Sequence, residues 1–490
     1  MRKDCGPDSR VHSHQYLAGL VADAARISSN VSCPRVCPSR FMQRWDFCYH
    51  GRMRSSNKRG RAPSDSGVSD ESVRHADYLG REEVLKRLGI KQQTLYAYVS
   101  RGFIRSVPHP DGRSSYYVRE DVDRMHSRIL SRTGYGPVAA GAMRWGEPVM
   151  STKITRISED GPYYRGHSAI ELARSCVPFE NVAELLWSSK LAKEPLAWSS
   201  HFSAPAGLGS VLDSVCKLHQ DAHVVQLMNA VVLSLGVAAG VRRQRILAGQ
   251  TPLALARDMI RVQAGTLGFL NGRKCYLPIT DHETIAAGIA RVLGIRKDPR
   301  LLTAINAALV IAADHEFNPA TFAARVAASG SCDLHSSIGA ALSTHYGTLV
   351  GRTCDRVEAL FESPSDPEIV LARVKKMLAS AQTIPGFDHP LYPHGDPRAR
   401  YLIGCSVGHS TTLPVLRNML AVVSRLEQEY GARPKIEFGL VFMCRALGLP
   451  DRTASGLYAL GRTAGWTAHV LEQRSAGFVI RPRAQFSAEY

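Results

Sequence analysis

The chain has no apolar run long enough to cross a bilayer, few aromatic residues and no regular spacing among its eleven cysteines. Stretches such as Ala307–Ala313 are cut off by polar or charged residues within about two turns, which excludes a membrane-spanning helix. Met1–Ala25 mixes Arg, Lys, Asp and His with small residues and lacks the unbroken apolar core of a secretory leader, so the expected location is the cytoplasm. Irregular cysteines in a chain of 490 residues do not make a disulfide framework. Cys33, Cys37, Cys48 and His50 match no common zinc-site spacing, so reduced thiols and no bound metal are expected. The length itself exceeds one ordinary core and implies two or three units.

What is present in excess is positive charge, and it is unevenly placed. Residues 1–133 hold 24 Lys and Arg against 14 Asp and Glu, while the remaining 357 hold 37 against 29. The surplus per residue is therefore about three times higher at the front, as a segment that faces nucleic acid would have it. Charge alone does not separate that reading from a merely solvated basic segment.

Residues 1–72 show no sustained apolar period and are expected to be disordered. From Tyr78 a pattern begins. Leu79, Val84, Leu85 and Leu88 fall at helical spacing, and Gly89 stands where a C-cap is wanted. Lys91–Val99 reads as a second helix, broken by Ser100-Arg101-Gly102. Phe103-Ile104 then opens an extended stretch, Asp111-Gly112 makes a hairpin turn, Ser115–Val118 returns as a strand, and Arg119–Val122 starts another helix. This order, over residues 73–133, is that of a small winged helix-turn-helix. Leu79–Val84 and Thr94–Gly102 resemble the MerR and excisionase-like group. The resemblance implies a duplex-DNA partner, with Lys91, Gln92, Gln93 and Tyr96 near the groove-facing start of the second helix and Arg101, Arg105 and Arg113 on the wing. The alternative is a helix-turn-helix kept as a protein-docking module.

A linker is expected over 134–160, and from 161 to 490 the chain reads as a mainly α domain punctuated by Pro, Gly and Asp. Leu301–Ala313 and Pro319–Ala328 flank a break, Asp314-His315-Glu316-Phe317-Asn318. Polar residues in apolar surroundings are costly there unless used. Taken alone, His315 is either a hydrogen-bonded structural residue or a ligand contact.

Five motifs in order resolve this. Tyr164-Arg165-Gly166 with Phe179–Ala183, Asp314–Val326, Gly386–Tyr392 with Asp396–Ala399, Gly461–His469 and Ile480–Ala484 together resemble citrate synthases. The resemblance implies large and small helical domains around a cleft (the small one over roughly 360–445) and a homodimer. It also implies condensation of an acyl-CoA, acetyl-CoA first, with oxaloacetate. No cofactor or metal is implied beyond the CoA thioester, which is a substrate.

Oxaloacetate carries two carboxylates and a ketone, and planar guanidinium groups suit the carboxylates. The positions that match the family's arginines are Arg398, Arg462 and Arg481, the last reaching a second copy's site. His315 would also bind the substrate, and His389 would donate to the ketone oxygen as charge develops on it. The acyl-CoA half departs from the pattern. The family's turn carries a histidine that steadies the enol, and here Gly347–Arg352 places Val350 in that position, with no hydrogen-bonding capacity. Where the family has an aspartate base, this chain has Glu437, longer by one methylene. His345, five residues before Val350, reads as a helix-surface histidine or, in a rebuilt turn, a substitute donor.

Three readings follow from the sequence. The first is a citrate-synthase-type acyltransferase carrying a DNA-binding module. The second is a catalytically weakened, metabolite-sensing transcriptional regulator. The third is a non-catalytic partner of an intact synthase.

Overall fold

The computed structural model describes Tyr78–Ser100, parts of 103–125 and residues 150–482, apart from 199–206, 219–221, 244–250, 273, 282, 296–297, 363–365, 381 and 411–413. Two compact units separate, one containing Thr152–Pro482 and the other lying within Arg35–Ser151.

The amino-terminal unit is built from β1 (Tyr78–Leu79), α1 (Arg81–Leu88), α2 (Gln92–Ser100), β2 (Ser106–Pro108) and β3 (Ser115–Val118). Its antiparallel sheet runs β1-β3-β2, with Tyr78 opposite Val118 and Val107 opposite Tyr116. Gly89 ends α1 at φ 62°, a left-handed C-cap that a side chain would strain. Glu82 and Glu83 in the first turn and Lys86 and Arg87 in the last oppose the helix dipole. Leu79, Val84, Leu88, Leu95, Ile104, Tyr117, Val122 and Met125 form the small core. Two expectations shift. Leu79 belongs to β1, paired with Tyr117 and fully buried. The extended stretch begins at Ser106, because Phe103 and Ile104 form the bend that sends Ile104 into the core. Arg101, Arg105, Arg113, the Asp111–Gly112 turn and the cysteines of the 33–48 region with His50 lie outside the described residues.

The large unit opens with a three-stranded meander, β4 (Thr155–Ser158), β5 (Gly161–Tyr164) and β6 (His167–Ser168). β4 falls inside the stretch read from sequence as linker. Helices follow: α3 (Ala169–Arg174), α4 (Phe179–Ser188), α5 (Leu208–Leu218), α6 (Val224–Arg243), α7 (Pro252–Thr266), α8 (Ile285–Val292) and α9 (Pro299–Ala312). Next come α10 (Pro319–Ser329), α11 (Leu334–His345), α12 (Thr353–Leu360), α13 (Pro367–Ala379), α14 (Pro397–Ser410), α15 (Pro414–Tyr430), α16 (Ile436–Ala446) and α17 (Thr453–Ala476). Several starts are written locally. Thr251, Asp298, Asn318 and Asp366 each accept a first-turn backbone N–H, and each is followed by a proline whose missing N–H costs nothing at that position.

The long α17 is buried nearly all round and packs against α4, α7, α9, α10 and α11. Gly461 and Gly465 make its close crossing with α9 possible. A methyl group at Gly461 would press on Ala312 and the Leu309 carbonyl, and one at Gly465 would collide with Asp314 and the Ala313 carbonyl. α14 packs on α16, as does α12, and α13 packs on α15. Among the described residues no helix is long and apolar enough to cross a membrane.

Candidate active site

Asp314 and His315 follow the end of α9, where helix carbonyls run out of backbone partners. Tyr164 closes that end. Its hydroxyl lies 3.1 Å from the carbonyls of Val310, Ile311 and Asp314, sharing its one hydrogen among them, and accepts from the Asp314 N–H at 3.2 Å. The break is thereby held as a rigid corner that points His315 inward.

His315, His389 and Tyr392 form a triangle of rings, with centroids 5.1 Å (His315–His389), 5.7 Å (His315–Tyr392) and 5.0 Å (His389–Tyr392) apart. His315 Nε2 stands 3.0 Å from the Tyr392 hydroxyl. Burial, with Arg398 next, drives the His315 pKa well below the ordinary histidine value and brings that of His389 to about 3, so both rings are neutral at working pH. The Leu391 N–H donates to His389 Nδ1 at 3.2 Å, which places the ring proton on Nε2.

Arg398 is almost wholly buried and rests under the Tyr392 ring at 5.4 Å. Its Nε and Nη2 donate to the two oxygens of Asp396 at 3.0 and 2.8 Å. Asp396 also accepts the Arg398 N–H and, across the fold, the Ile436 N–H at the start of α16, each at 3.0 Å. One edge of the guanidinium is thus committed to holding the arginine in place, and the Nη1–Nη2 edge remains to meet an anion.

Arg462 has no solvent exposure. Its Nη2 donates to Thr321 Oγ1 at 2.8 Å and lies 3.8 Å from Asp314 Oδ1, while Nε and Nη1 are buried without a partner. Leaving such donors unmet costs about 1–3 kcal/mol each, so an arginine held this way is poised for an anionic ligand. Burial alone would raise the Asp314 carboxyl, but His469 and Arg462 beside it hold it down at about 2. His469 Nε2 approaches Asp314 Oδ2 at 3.3 Å, and its Nδ1 accepts from Arg325 Nη1 at 3.1 Å.

Glu437 lies in the first turn of α16, where the helix dipole favours a negative charge. It is buried, its Oε2 has no partner, and Lys435 Nζ is 4.0 Å from Oε1. The turn Gly347–Gly351 follows α11. Val350 is half-buried and Leu349 is 81% exposed. His345 is a correction to the sequence reading: it is not on the helix surface but is 1% exposed. It faces inward onto the Tyr458 and Trp466 rings of α17, while Ser343 takes the solvent side of the same turn.

The family profile for the citrate synthase C-terminal domain matches residues 142–483. The chain belongs to the citrate synthase family. It is similar to citrate synthase 2 of Bacillus subtilis, 28% identical over 71% of this chain and 96% of that one. It is also similar to 2-methylcitrate synthase 2 of Corynebacterium glutamicum, 27% identical over 66% and 88%. Among solved structures, the citrate synthase of Thermoplasma acidophilum, in ternary complex with carboxymethyl coenzyme A and oxaloacetate, shares the fold. Its TM-score is 0.59 at 21% identity, covering 70% of this chain and 94% of that one.

Within this citrate synthase fold, His315, His389, Arg398 and Arg462 come together through the rings and shared charges just described. Glu437 is tied to the same region, since Arg398, Arg462 and Glu437 all act on the buried Tyr458 hydroxyl. Arg481 does not join them: it lies exposed beyond α17. Lys91, Gln92, Gln93 and Tyr96 are exposed together at the start of α2, where Gln92 Nε2 donates to Tyr96 Oη at 2.7 Å. Lys91 precedes the helix rather than beginning it. The sequence reading assigned no role to Tyr392, Asp396, Asp314, Thr321, His469 or Tyr458. The first five sit inside the quoted motifs, and that proximity was the available signal. Tyr458 carries none. Among the described residues no cluster of His, Cys, Asp and Glu could hold a metal ion.

Proposed function

We propose that this protein condenses an acyl-CoA thioester with oxaloacetate, acetyl-CoA giving citrate and free CoA. The observation that carries the reading is Arg462, buried with two unpartnered nitrogens beside the His315–His389–Tyr392 rings and Arg398. Arg398 and Arg462 would receive the carboxylates of oxaloacetate, with Arg481 supplied by a second copy in a homodimer, and His315 would complete the cage. Glu437 would take a proton from the carbon next to the thioester, and that C–H pair becomes the enolate double bond as the carbonyl pair moves to oxygen. The enolate carbon then attacks the ketone carbon, and the ketone oxygen takes the proton of His389 Nε2. Water hydrolyses the resulting citryl thioester to citrate and CoA.

Thiol release from acetyl-CoA, and from propionyl-CoA with its extra methylene, should require oxaloacetate. Release from neither, with oxaloacetate still raising the melting temperature, would replace the enzyme by the metabolite-sensing reading. For the amino-terminal unit the same proposal is a role on duplex DNA, supported by the basic surplus and the exposed Lys91, Gln92, Gln93 and Tyr96. Full-length protein should then be retained on DNA and released by salt; salt-insensitive or absent retention would leave the docking alternative.

A further inference from the structure

Resting on the condensation reading, we propose that His345 supplies the acyl thioester oxygen with the N–H donor that the turn at Val350 lacks. The argument starts from an anomaly. His345 is 1% exposed and neither ring nitrogen has a partner. A histidine kept only for packing would be replaced at gain by an apolar residue of its size, because buried donors and acceptors without partners oppose folding. Unpartnered groups nearby include Nε and Nη1 of Arg462 and Oε2 of Glu437, which the reaction would use, together with Asp314 Oδ1 and Trp466 Nε1.

The position of the ring is specific. The Tyr458 and Trp466 rings meet it edge-on at 4.9 and 5.3 Å, and both belong to α17, which also carries Arg462. Tyr458 feels Glu437, Arg398 and Arg462, and Arg462 also acts on the imidazole itself, so the ring stands next to the tyrosine that borders the base and the arginines. On its other side lies the turn itself. The Gly351 N–H donates to the His345 carbonyl at 2.9 Å, and a methyl group on Gly351 would collide with the ring at Nε2 and its two flanking carbons. The imidazole edge therefore stands directly behind the residue that follows Val350, where the family pattern places the missing donor. Only glycine at 351 leaves room for it. The turn above is the exposed part, and the side chains of its half-buried Val350 and exposed Leu349 offer no hydrogen bond.

Burial, with Arg462 next, holds the His345 pKa at about 3. The ring is therefore a neutral donor over the whole working range, the state needed to share a proton with an enolate without protonating it outright. In the step written above, the carbonyl pair displaced as the C–H pair becomes the enolate double bond ends on the thioester oxygen, and the His345 N–H is the group that meets it. No atom is transferred to or from His345 over the cycle.

The test compares CoA release by the wild-type protein, His345→Leu, and His345→Leu combined with Val350→His. It is run with acetyl-CoA and propionyl-CoA alongside melting curves with and without oxaloacetate. His345→Leu should lower kcat by about 10²–10³, leave KM for oxaloacetate and the oxaloacetate-induced melting shift in place, and melt no lower than wild type. Adding Val350→His should recover part of the lost kcat. A His345→Leu protein with kcat within about threefold of wild type overturns the proposal and leaves the condensation reading standing. A wild-type protein that releases no CoA from either thioester overturns the condensation reading and His345's role with it. If His345→Leu does not fold, His345→Gln, which keeps an N–H, decides: retained oxaloacetate binding and measurable turnover support the donor role, and loss of both marks His345 as structural.

Discussion

In the proposed reaction, the oxaloacetate side and the acyl side of the site are built by opposite means. On the first, each group is gripped before any ligand arrives: Arg398 by Asp396, Arg462 by Thr321 and Asp314, and the neutral His389 by the Leu391 N–H. On the second, Glu437 Oε2 and both nitrogens of His345 are buried and unheld, behind a turn that is largely exposed. Binding a doubly charged substrate needs charges fixed in advance, so that little reorganisation is left to do. The proton-transfer side instead keeps its groups unpaired, because a base already hydrogen-bonded is a weaker base.

The widest break in this contrast should come from Glu437→Gln, which removes the base while keeping its volume. It should lower kcat by about 10²–10⁴ with little change in KM for oxaloacetate, read from steady-state CoA release. An equal rise in KM would merge the two sides into one.

Arg398→Ala tests the gripped side by stability. It strands the buried Asp396 carboxylate, which also ties α14 to α16 through the Ile436 N–H. Denaturant melts should show a loss of about 3–5 kcal/mol. Asp396→Asn combined with Arg398→Met should recover part of that stability, though not oxaloacetate binding.

The unheld histidine predicts a pH response. The pKa of His345 is about 3 in the folded protein against 6.5 for the free side chain, so between those values the unfolded chain binds the extra proton. Stability from this residue is therefore full above 6.5 and falls as pH drops, by roughly 2 kcal/mol at pH 5. His389, also at about 3, acts in the same direction. Melting temperatures from pH 7 to 5 should fall less steeply for His345→Leu than for wild type. Parallel slopes would mean the His345 ring is solvated.

The smallest effect is expected at Val350→Ala. Half-buried and without polar contacts, Val350 should change stability by no more than about 0.5 kcal/mol and turnover scarcely at all. A large loss would show that the valine itself shapes the acyl pocket.

Much of the site was legible because its residues are contiguous with their own supports. Asp396 stands two residues from Arg398, His389 two from the N–H that fixes its tautomer, and Asn318 caps the helix that carries Thr321. Local hydrogen bonds of this kind leave short motifs. Tyr458 and His345 left none, since their meaning comes from α11 and α16 converging on α17, and contacts across more than a hundred residues carry no spacing rule. The inward face of His345 was misread for the same reason: a polar residue at a helix end reads as solvent-facing unless the neighbours that cover it are known.

By itself the sequence determined the helical class of the large unit, the helix starts set by capping residues and prolines, the family, and the arginine and histidine positions that the structure brings together. These rest on local hydrogen bonding and short-range pattern. Only the tertiary structure decided that Arg398 is already paired, that Arg462 keeps two donors unmet, and that His345 is sealed behind Gly351. Desolvation is the reason: whether a polar atom is satisfied, and what it can then do, depends on every segment packed around it, and that is fixed only when the distant helices close.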